Sequence, residues 1–385
     1  MNKKKILAVV LAVVILCSVF PFSAFAAVLP PITIEIPKEN THPITVNFTY
    51  EQPEQGKITI TGYDSKLDTF DGTLYIPNNY KNCVVSSVSD SAFKDNKEIT
   101  ELIVDENIKT IGAKAFYGCT SLEKITLSEG LEYINDYAFY NCKKVKELVL
   151  PDSLQEAGFG MLQGCNELKK LTLPFTGKSR TKSTNLTYFY GDKYGDSAGY
   201  YTCSVTELIF SENCTAIPLK AAYGCNYLKK VTIPKTVTRI KDSAFYKCYN
   251  LENVIIPSGV TTLESTAFYD CSSMENVFIP DSVTSIGSRN FYIYTYTYVP
   301  SSVVINCYEG SYAQTYAVNN GFNYKLLTRY DASGDDILDT EDLAVMKKYI
   351  LGNGTATFQA DCNYDGTVDL LDFIKIKKHF ATQVA

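Results

Sequence analysis

Apolar residues return at a fixed interval through most of this chain. Phe93, Phe116 and Phe139 stand 23 positions apart, and so do Phe245, Phe268 and Phe291. Cys119, Cys142 and Cys165, then Cys225, Cys248 and Cys271, keep the same interval. Leu162 and Ala222 continue it on either side of one interruption. In the period from Val254 to Asn276, the apolar positions are Val254, Ile256, Val260, Leu263, Ala267, Phe268, Cys271 and Met274. A fixed period in this range marks a solenoid. One coil cannot bury those side chains alone, but stacked coils can. The β-branched run before Pro257 predicts a strand, with coils about 4.8 Å apart. Pro257 ends that strand because it has no N–H to give to a ladder.

Exposed solenoid ends need covers. Residues 46–82 read as an N-terminal β cap, because Thr45–Tyr50, Lys57–Gly62 and Thr73–Pro77 alternate like strands. The repeats run from about Cys83 to Tyr298. Val303–Cys307, a helix over Gly310–Asn319 and Phe322–Leu327 read as the C-terminal cap. One repeat is swollen: Leu171 to Glu207 is 37 residues long, with the insert at about 175–205. It holds Tyr188, Tyr190, Tyr194, Tyr200 and Tyr201, the candidate ligand-binding residues. Insertions in a solenoid bulge from one edge, and tyrosine supplies rigid amphipathic contact area. The alternative is that these rings simply cover the sheet. A second tyrosine cluster, Tyr292 to Tyr298, interrupts the last repeat, and tryptophan is absent.

The remaining composition narrows the class. At 385 residues the chain has room for two or three domains, and its net charge of -6 weighs against a nucleic-acid partner. The N-terminus reads as a secretory signal over residues 1–26. Lys3, Lys4 and Lys5 precede the apolar run Ile6–Phe20, and Ala24-Phe25-Ala26 is a small-x-small cleavage site. A linker over 27–45 follows. No later segment reaches the ~18 apolar residues that a membrane span needs. The expectation is therefore a secreted chain with no span after signal removal. Twelve cysteines would ordinarily suggest disulfides in an exported protein. Cys17 leaves with the signal, and the odd remainder cannot pair fully within one chain. Their spacing suggests that each stacks over its neighbour as a small buried hydrophobe. Disulfide and metal readings stay open beside that one, although zinc would want clustered CxxC or histidine pairs. The only histidines are His42 and His379.

The C-terminus writes one acidic loop twice, thirty residues apart. Oxygen side chains fall at loop positions 1, 3, 5, 9 and 12: Asp331, Ser333, Asp335, Asp339 and Asp342, then Asp361, Asn363, Asp365, Asp369 and Asp372. That spacing folds a loop around a hard cation, with the backbone carbonyl of position 7, Ile337 or Thr367, as a further ligand. Each loop runs into an apolar, lysine-rich stretch, Leu343–Leu351 and Phe373–Phe380. The unit is loop then helix, made twice.

The recurring pattern Ile-x-Ile-Pro-x-x-Val-x-x-Ile-x-x-x-Ala-Phe-x-x-Cys resembles the BspA-like leucine-rich repeats of bacterial surface proteins. The resemblance covers about 46–327 and implies a right-handed solenoid with one parallel sheet, in proteins that bind rather than catalyse. Residues 328–385 look like a type I dockerin, a small all-α domain with two calcium loops that binds cohesin modules on scaffoldins. The resemblance implies calcium on Asp331, Ser333, Asp335, Ile337 and Asp342, and on Asp361, Asn363, Asp365, Thr367 and Asp372. Asp339 and Asp369 would act through water. Ser333 stands where Asn or Asp is usual, and Asp336 where Gly allows the sharp turn. Two ions are expected, the second loop holding its ion more tightly. Cohesin recognition in such domains uses loop positions 10 and 11 and the following helix. These are Thr340, Glu341, Lys347 and Lys348 in the first copy, and Leu370, Leu371, Lys377 and Lys378 in the second. The lysines match between copies and the 10–11 pairs do not, so one preferred binding face is expected.

The leading reading is a secreted, non-catalytic interaction protein. Its dockerin docks on a cohesin, its repeats bind a protein or glycan, and the whole serves a cellulosome-like polysaccharide-degrading complex. The runner-up is a dockerin-bearing glycoside hydrolase, which would need two carboxylates facing across a cleft. Glu123, Glu147, Glu167 and Glu252 instead fall on the polar edge of successive coils, and the repeats hold no histidine for a Ser-His-Asp arrangement. A carbohydrate-binding surface adhesin is the third reading.

Overall fold

The computed structural model describes residues 46–64, 70–182, 185–192, 203–295, 297–328, 331–333, 335, 337–352, 360 and 368–383. The described chain opens on an antiparallel hairpin, Asn47–Glu54 with Lys57–Asp64. Parallel coils follow, and each stacks on the next through three faces.

The longer strands make the first face. Thr73–Ile76, Glu101–Val104 and Lys124–Leu127 pair in parallel and in register. An eight-stranded ladder then runs from Glu147–Val149 through Lys170–Leu173, Glu207–Phe210, Lys230–Thr232, Asn253–Ile255 and Asn276–Phe278 to Val304–Cys307 and Asn323–Leu326. Two-residue strands make the second face, as where Arg239–Ile240 pairs with Thr262–Leu263. The third face is built of turns. Backbone there bonds coil to coil at the Ala-Phe segments: Phe116 N–H donates to Ala138 C=O at 2.8 Å, and Phe245 N–H to Ala267 C=O at 2.8 Å. Entry into these turns needs a left-handed backbone at Lys114, Tyr137, Ser243 and Thr266, with φ between 53° and 57°. Such positions cost about 1–3 kcal/mol each and persist only where the surroundings over-determine them. Here the inter-coil bonds on both sides do so.

The core lies between the three faces. Phe93, Phe116 and Phe139 stack face to face at 5.1 and 5.5 Å, and Phe245, Phe268 and Phe291 at 5.1 and 5.6 Å. The cysteines form a column beside them. Cys119, Cys142, Cys165, Cys248 and Cys271 each donate Sγ–H to a backbone carbonyl of the preceding coil at 3.2–3.3 Å. All ten described cysteines are free thiols, and only Cys83 is not buried. Burial pushes the Cys119 and Cys165 thiols up to about 12. Charge follows the same stacking at the edges. Lys124 meets Glu101 at 2.6 Å, Lys144 meets Glu123 at 2.9 Å, Lys229 meets Glu252 at 3.2 Å and Arg239 meets Glu264 at 2.7 Å, always across neighbouring coils.

The C-terminal cap has the expected elements. Helix α1 (Tyr312–Asn320) starts at Ser311, whose side chain accepts from Gln314 N–H, and stops at Gly321 with φ 73°. The strand Asn323–Leu326 then returns to the sheet. The tyrosine cluster of the last repeat folds as a hairpin, Tyr292–Tyr294 against Tyr298–Pro300.

Three expectations change. Most coils carry two strands, so one parallel sheet is too few; the second strand is mostly two residues long and shows no alternation to read. Thr73–Ile76 is the first rung of the solenoid rather than part of the cap. It pairs with Glu101–Val104 across a 28-residue coil, lengthened by the small strand Asn79–Tyr80. Finally, the swollen repeat does not simply bulge. Its 3-10 segment Leu186–Tyr190 replaces the missing Ala-Phe rung. Gly160 and Leu162 donate to the Tyr188 and Phe189 carbonyls at 3.0 and 2.8 Å, and Leu186 N–H donates to Ala221 C=O at 2.8 Å.

Two measurements check this packing. Phe268→Ala removes a fully buried ring with a stacked neighbour on each side, and should lower unfolding free energy by about 3–5 kcal/mol in urea titration. Lys144→Ala, at an exposed edge pair, should leave the midpoint unchanged. In native protein at pH 8, iodoacetamide should modify Cys83 well before the buried column, which reacts only after denaturant is added.

Candidate functional site

The first acidic loop is held by its own side chains. Ser333 Oγ donates to Asp331 Oδ1 at 3.1 Å, and Ile337 N–H to Asp335 Oδ1 at 2.8 Å. Asp342 closes the loop, accepting from Ser333 N–H at 3.0 Å on one oxygen and from Asp339 N–H at 2.9 Å on the other. Asp339 in turn accepts from Glu341 N–H at 2.6 Å. Asp339 and Asp342 thus form a capping box, and helix α2 (Thr340–Ile350) starts on it. The arrangement recurs thirty residues later. Asp369 N–H donates to Asp372 Oδ2 at 2.9 Å, Leu371 N–H donates to Asp369 Oδ1 at 2.7 Å, and helix α3 (Leu370–Gln383) follows. Both helices therefore begin three residues before the apolar stretches, because the last loop positions already form the first helical turn. Asp361, Asn363, Asp365 and Thr367 lie outside the described residues.

Asp331, Asp342 and Asp372 have no solvent exposure. A buried carboxylate is costly unless hydrogen bonds or a metal compensate it. Around them the packing is thin: Ala332, Met346, Ala360 and Ile376 are buried, with Leu343, Val345, Val368, Phe373 and Phe380 packed on them. Among the described residues no group of three or more His, Cys, Asp or Glu side chains is placed so that it could hold a metal ion by itself. The remaining oxygens of the first loop are the Ser333 hydroxyl and the Ile337 carbonyl. An all-oxygen donor set with buried carboxylates suits a hard cation such as calcium.

Comparison with known proteins bears on both parts of the chain. Residues 86–190 and 193–308 match the BspA type leucine rich repeat region in six copies. The chain belongs to that family. Residues 329–381 match the dockerin type I domain, so the repeats carry a type I dockerin behind them. No curated protein matches. Solved structures with some likeness include a Treponema pallidum leucine rich repeat protein (23% identity, 59% of this chain and 87% of that one, TM-score 0.35). Another is a leucine rich cell surface protein of Faecalibacterium prausnitzii (20%, 63% and 71%, TM-score 0.35). A third is a leucine-rich repeat protein from Bacteroides capillosus (29%, 33% and 96%, TM-score 0.30). Type I dockerins bind calcium and imply a cohesin partner, and neither domain type is catalytic. Both are typical of extracellular bacterial proteins. No described helix is long and apolar enough to cross a membrane.

The two dockerin helices present different surfaces. Thr340, Glu341, Lys347 and Lys348 are exposed on α2. On α3, Lys377 and Lys378 are exposed and Leu370 is half-buried, while Leu371 and Ile374 are apolar yet 57% and 42% exposed. Sequence reasoning missed Ile374. Its signal was an apolar residue one turn beyond Leu371, off the stripe that Phe373 and Ile376 point into the core. In the repeats, Tyr190 is a correction. It is only 3% exposed, and with Phe189 it fills the core of the substitute rung, so it cannot meet a ligand. Tyr188 is half-buried and packs edge-on against Phe159 at 5.4 Å. Tyr194, Tyr200 and Tyr201 lie outside the described residues.

Loss of the Asp342 carboxylate breaks the capping box at its N3 position, on the order of the 0.5–2 kcal/mol of a lost cap, and takes a buried oxygen from the loop. Calcium at a hundred times its Kd adds about 2.7 kcal/mol, so the metal is the larger effect. Excess EDTA should accordingly lower the urea midpoint of the dockerin's helical signal, followed at 222 nm, and leave the repeats' transition in place. Asp342→Ala should lower the same midpoint with calcium present.

Proposed function

We propose that this is a secreted, non-catalytic interaction protein. Its dockerin docks on a scaffoldin cohesin in a calcium-dependent way, and its repeats bind a protein or glycan for a cellulosome-like polysaccharide-degrading complex. The division falls at about residue 328, after a signal over 1–26 and a linker over 27–45. The supporting observation is the repeated cradle at Asp339–Asp342 and Asp369–Asp372, each leading into a helix with exposed paired lysines. Two calcium ions occupy the loops. One takes Asp331, Ser333, Asp335, the Ile337 carbonyl and Asp342, with Asp339 through water. The other takes Asp361, Asn363, Asp365, the Thr367 carbonyl and Asp372, with Asp369 through water. The second loop is the tighter one, because its position 6 is Gly366, where the first loop has Asp336. Calcium replaces repulsion between crowded carboxylates by coordination, so metal binding and folding are linked.

Exposed leucine and isoleucine beside Lys377 and Lys378 favour the second copy as the preferred cohesin face. There Leu371 and Ile374 can bury against a partner, whereas the first copy offers Glu341 and Ala344. An enzyme reading gains no support from the acids of the repeats. Glu123 and Glu252 are ion-paired across coils at the exposed edge, and Glu147 and Glu167 are exposed.

The test is capture of the mature chain by a cohesin panel, with calcium and with EDTA. Binding should require calcium. Leu371→Ser with Lys377→Ala should weaken it at least tenfold, and Glu341→Ser with Lys347→Ala should change it little. Calcium-independent capture, equal loss from both pairs, or release of reducing sugar from plant polysaccharide would each refute part of this reading.

A further inference from the structure

The half of the solenoid after the swollen coil carries an aromatic column outside its core. Tyr223, Tyr246 and Tyr269 each follow the buried rung residue by one position, and so turn to the opposite side of the third face. Their ring centres are 4.8 and 4.9 Å apart, with planes inclined by 2° and 22°; Tyr223 and Tyr246 are half-buried, and Tyr269 is buried at 3% exposure. Tyr298, from the tyrosine hairpin, covers Tyr269 at 5.8 Å and is itself 49% exposed. Cations sit along this column. Lys220 Nζ lies 5.2 Å from the Tyr223 ring centre and Lys247 Nζ 5.6 Å from that of Tyr246. The Arg289 guanidinium lies 3.9 Å from the centre of Tyr298. Cation–π contact of this kind holds a charge at the surface without neutralising it.

Two acids lie beside the column, Asp270 buried and Asp242 half-buried, and the Asp270 charge acts on the Tyr246 and Tyr269 phenols. Asp270 takes the Tyr294 N–H at 3.4 Å, and Asp242 takes the Ser243 hydroxyl at 2.6 Å. Arg289 is exposed and Lys247 half-buried, so the outer side of the column carries cations on a chain whose net charge is -6. Burial raises the Tyr246 phenol above its ordinary range and pushes Tyr269 up to about 12. The Tyr246 and Tyr269 phenols thus remain protonated at neutral pH.

These features select a partner chemistry. The row advances one coil at a time, so it matches an extended repeating polymer better than a compact molecule. Phenol edges offer hydroxyls and apolar contact to sugar rings, and the cations offer charge-assisted hydrogen bonds to carboxylates. An acidic protein would satisfy the charge but not the regular interval. We propose that Tyr223, Tyr246, Tyr298, Lys247 and Arg289 form a binding ridge for an acidic polysaccharide, a uronate-bearing chain lying across the coils. This rests on the reading that the repeats bind a ligand while the dockerin docks.

The test uses the full mature chain in calcium, with polygalacturonate as the probe. Carboxyl-reduced polygalacturonate, amylose and polyglutamate serve as comparisons, and cohesin capture is measured on the same preparation. Polygalacturonate should bind, and rising salt should weaken it as exposed charges are screened. Arg289→Ala and Lys247→Gln should each cost about tenfold, as expected for loss of one hydrogen bond to a charged group. Arg289→Lys, which keeps the charge, should retain most binding. Absence of polygalacturonate binding with cohesin capture intact overturns the ridge alone. So does equal binding to polyglutamate, which would point to an acidic protein, and so do variants that bind as the parent does. Loss of cohesin capture falls instead on the dockerin reading.

Discussion

No coil of this solenoid can satisfy itself. Its strand N–H and C=O groups, its turn backbone and its apolar side chains all find their partners in the coil before and the coil after. Because the coils stack in register, each position meets its own counterpart 23 residues away, and like therefore stacks on like. Phenylalanine packs on phenylalanine, and five of the column thiols reach a carbonyl of the neighbouring coil. Lysine at an edge is answered by glutamate one coil away. The relative sizes of these terms show which one sets the register. Burying a large apolar side chain is worth about 1.5–3 kcal/mol, while an exposed ion pair is worth about 0–1 kcal/mol. The phenylalanine rungs and strand ladders hold the stack, and the edge charges conform to it.

The swollen repeat shows how far that constraint can be stretched. Extra length in a loop costs only slowly rising closure entropy, so additional residues are tolerated if the rungs survive. Here the long-strand face continues unbroken from Lys170–Leu173 to Glu207–Phe210. The turn face is restored by Leu186–Tyr190. The short-strand face is not restored, and it divides into one ladder ending at Glu156–Ala157 and another beginning at Ala216–Ile217. The hairpin at Tyr292–Pro300 is a second insertion treated the same way. Because it sits on the turn face, it brings Tyr298 over Tyr269 and Arg289 and lengthens the aromatic column.

The dockerin obeys a different logic. A domain of this size cannot gather enough apolar contact to stand on packing alone, and small scaffolds of this kind commonly rely on a metal or another staple. Its buried carboxylates are unfavourable unless hydrogen bonds or a cation compensate them, and the proposed calcium would add to the hydrogen bonds already made. The aspartate at position 12 closes the loop and, at N3, completes the capping box that Asp339 opens. In the proposed calcium site, ion binding and helix formation would share that residue. The duplication makes this economical, and the divergence of positions 10, 11 and 14 between copies makes the two faces unequal.

Periodicity alone determined the solenoid, its strand before each proline, the buried column of cysteines and the acidic loop–helix pairs. It could do so because in stacked coils a residue's environment is a copy of its own surroundings one period away. The second strand escaped such reading, since Thr262–Leu263 is too short to alternate. The place of Tyr188 and Tyr190 escaped it too. Within an insertion the period is lost, and only the folded chain decides which residues supply the substitute rung and which stay outside. The same holds for Leu371 and Ile374. Their apolar character is plain in the sequence, but whether they face the core or solvent depends on where the Asp369–Asp372 cap sets the first turn of the helix, and hence on which stripe Phe373 and Ile376 turn inward.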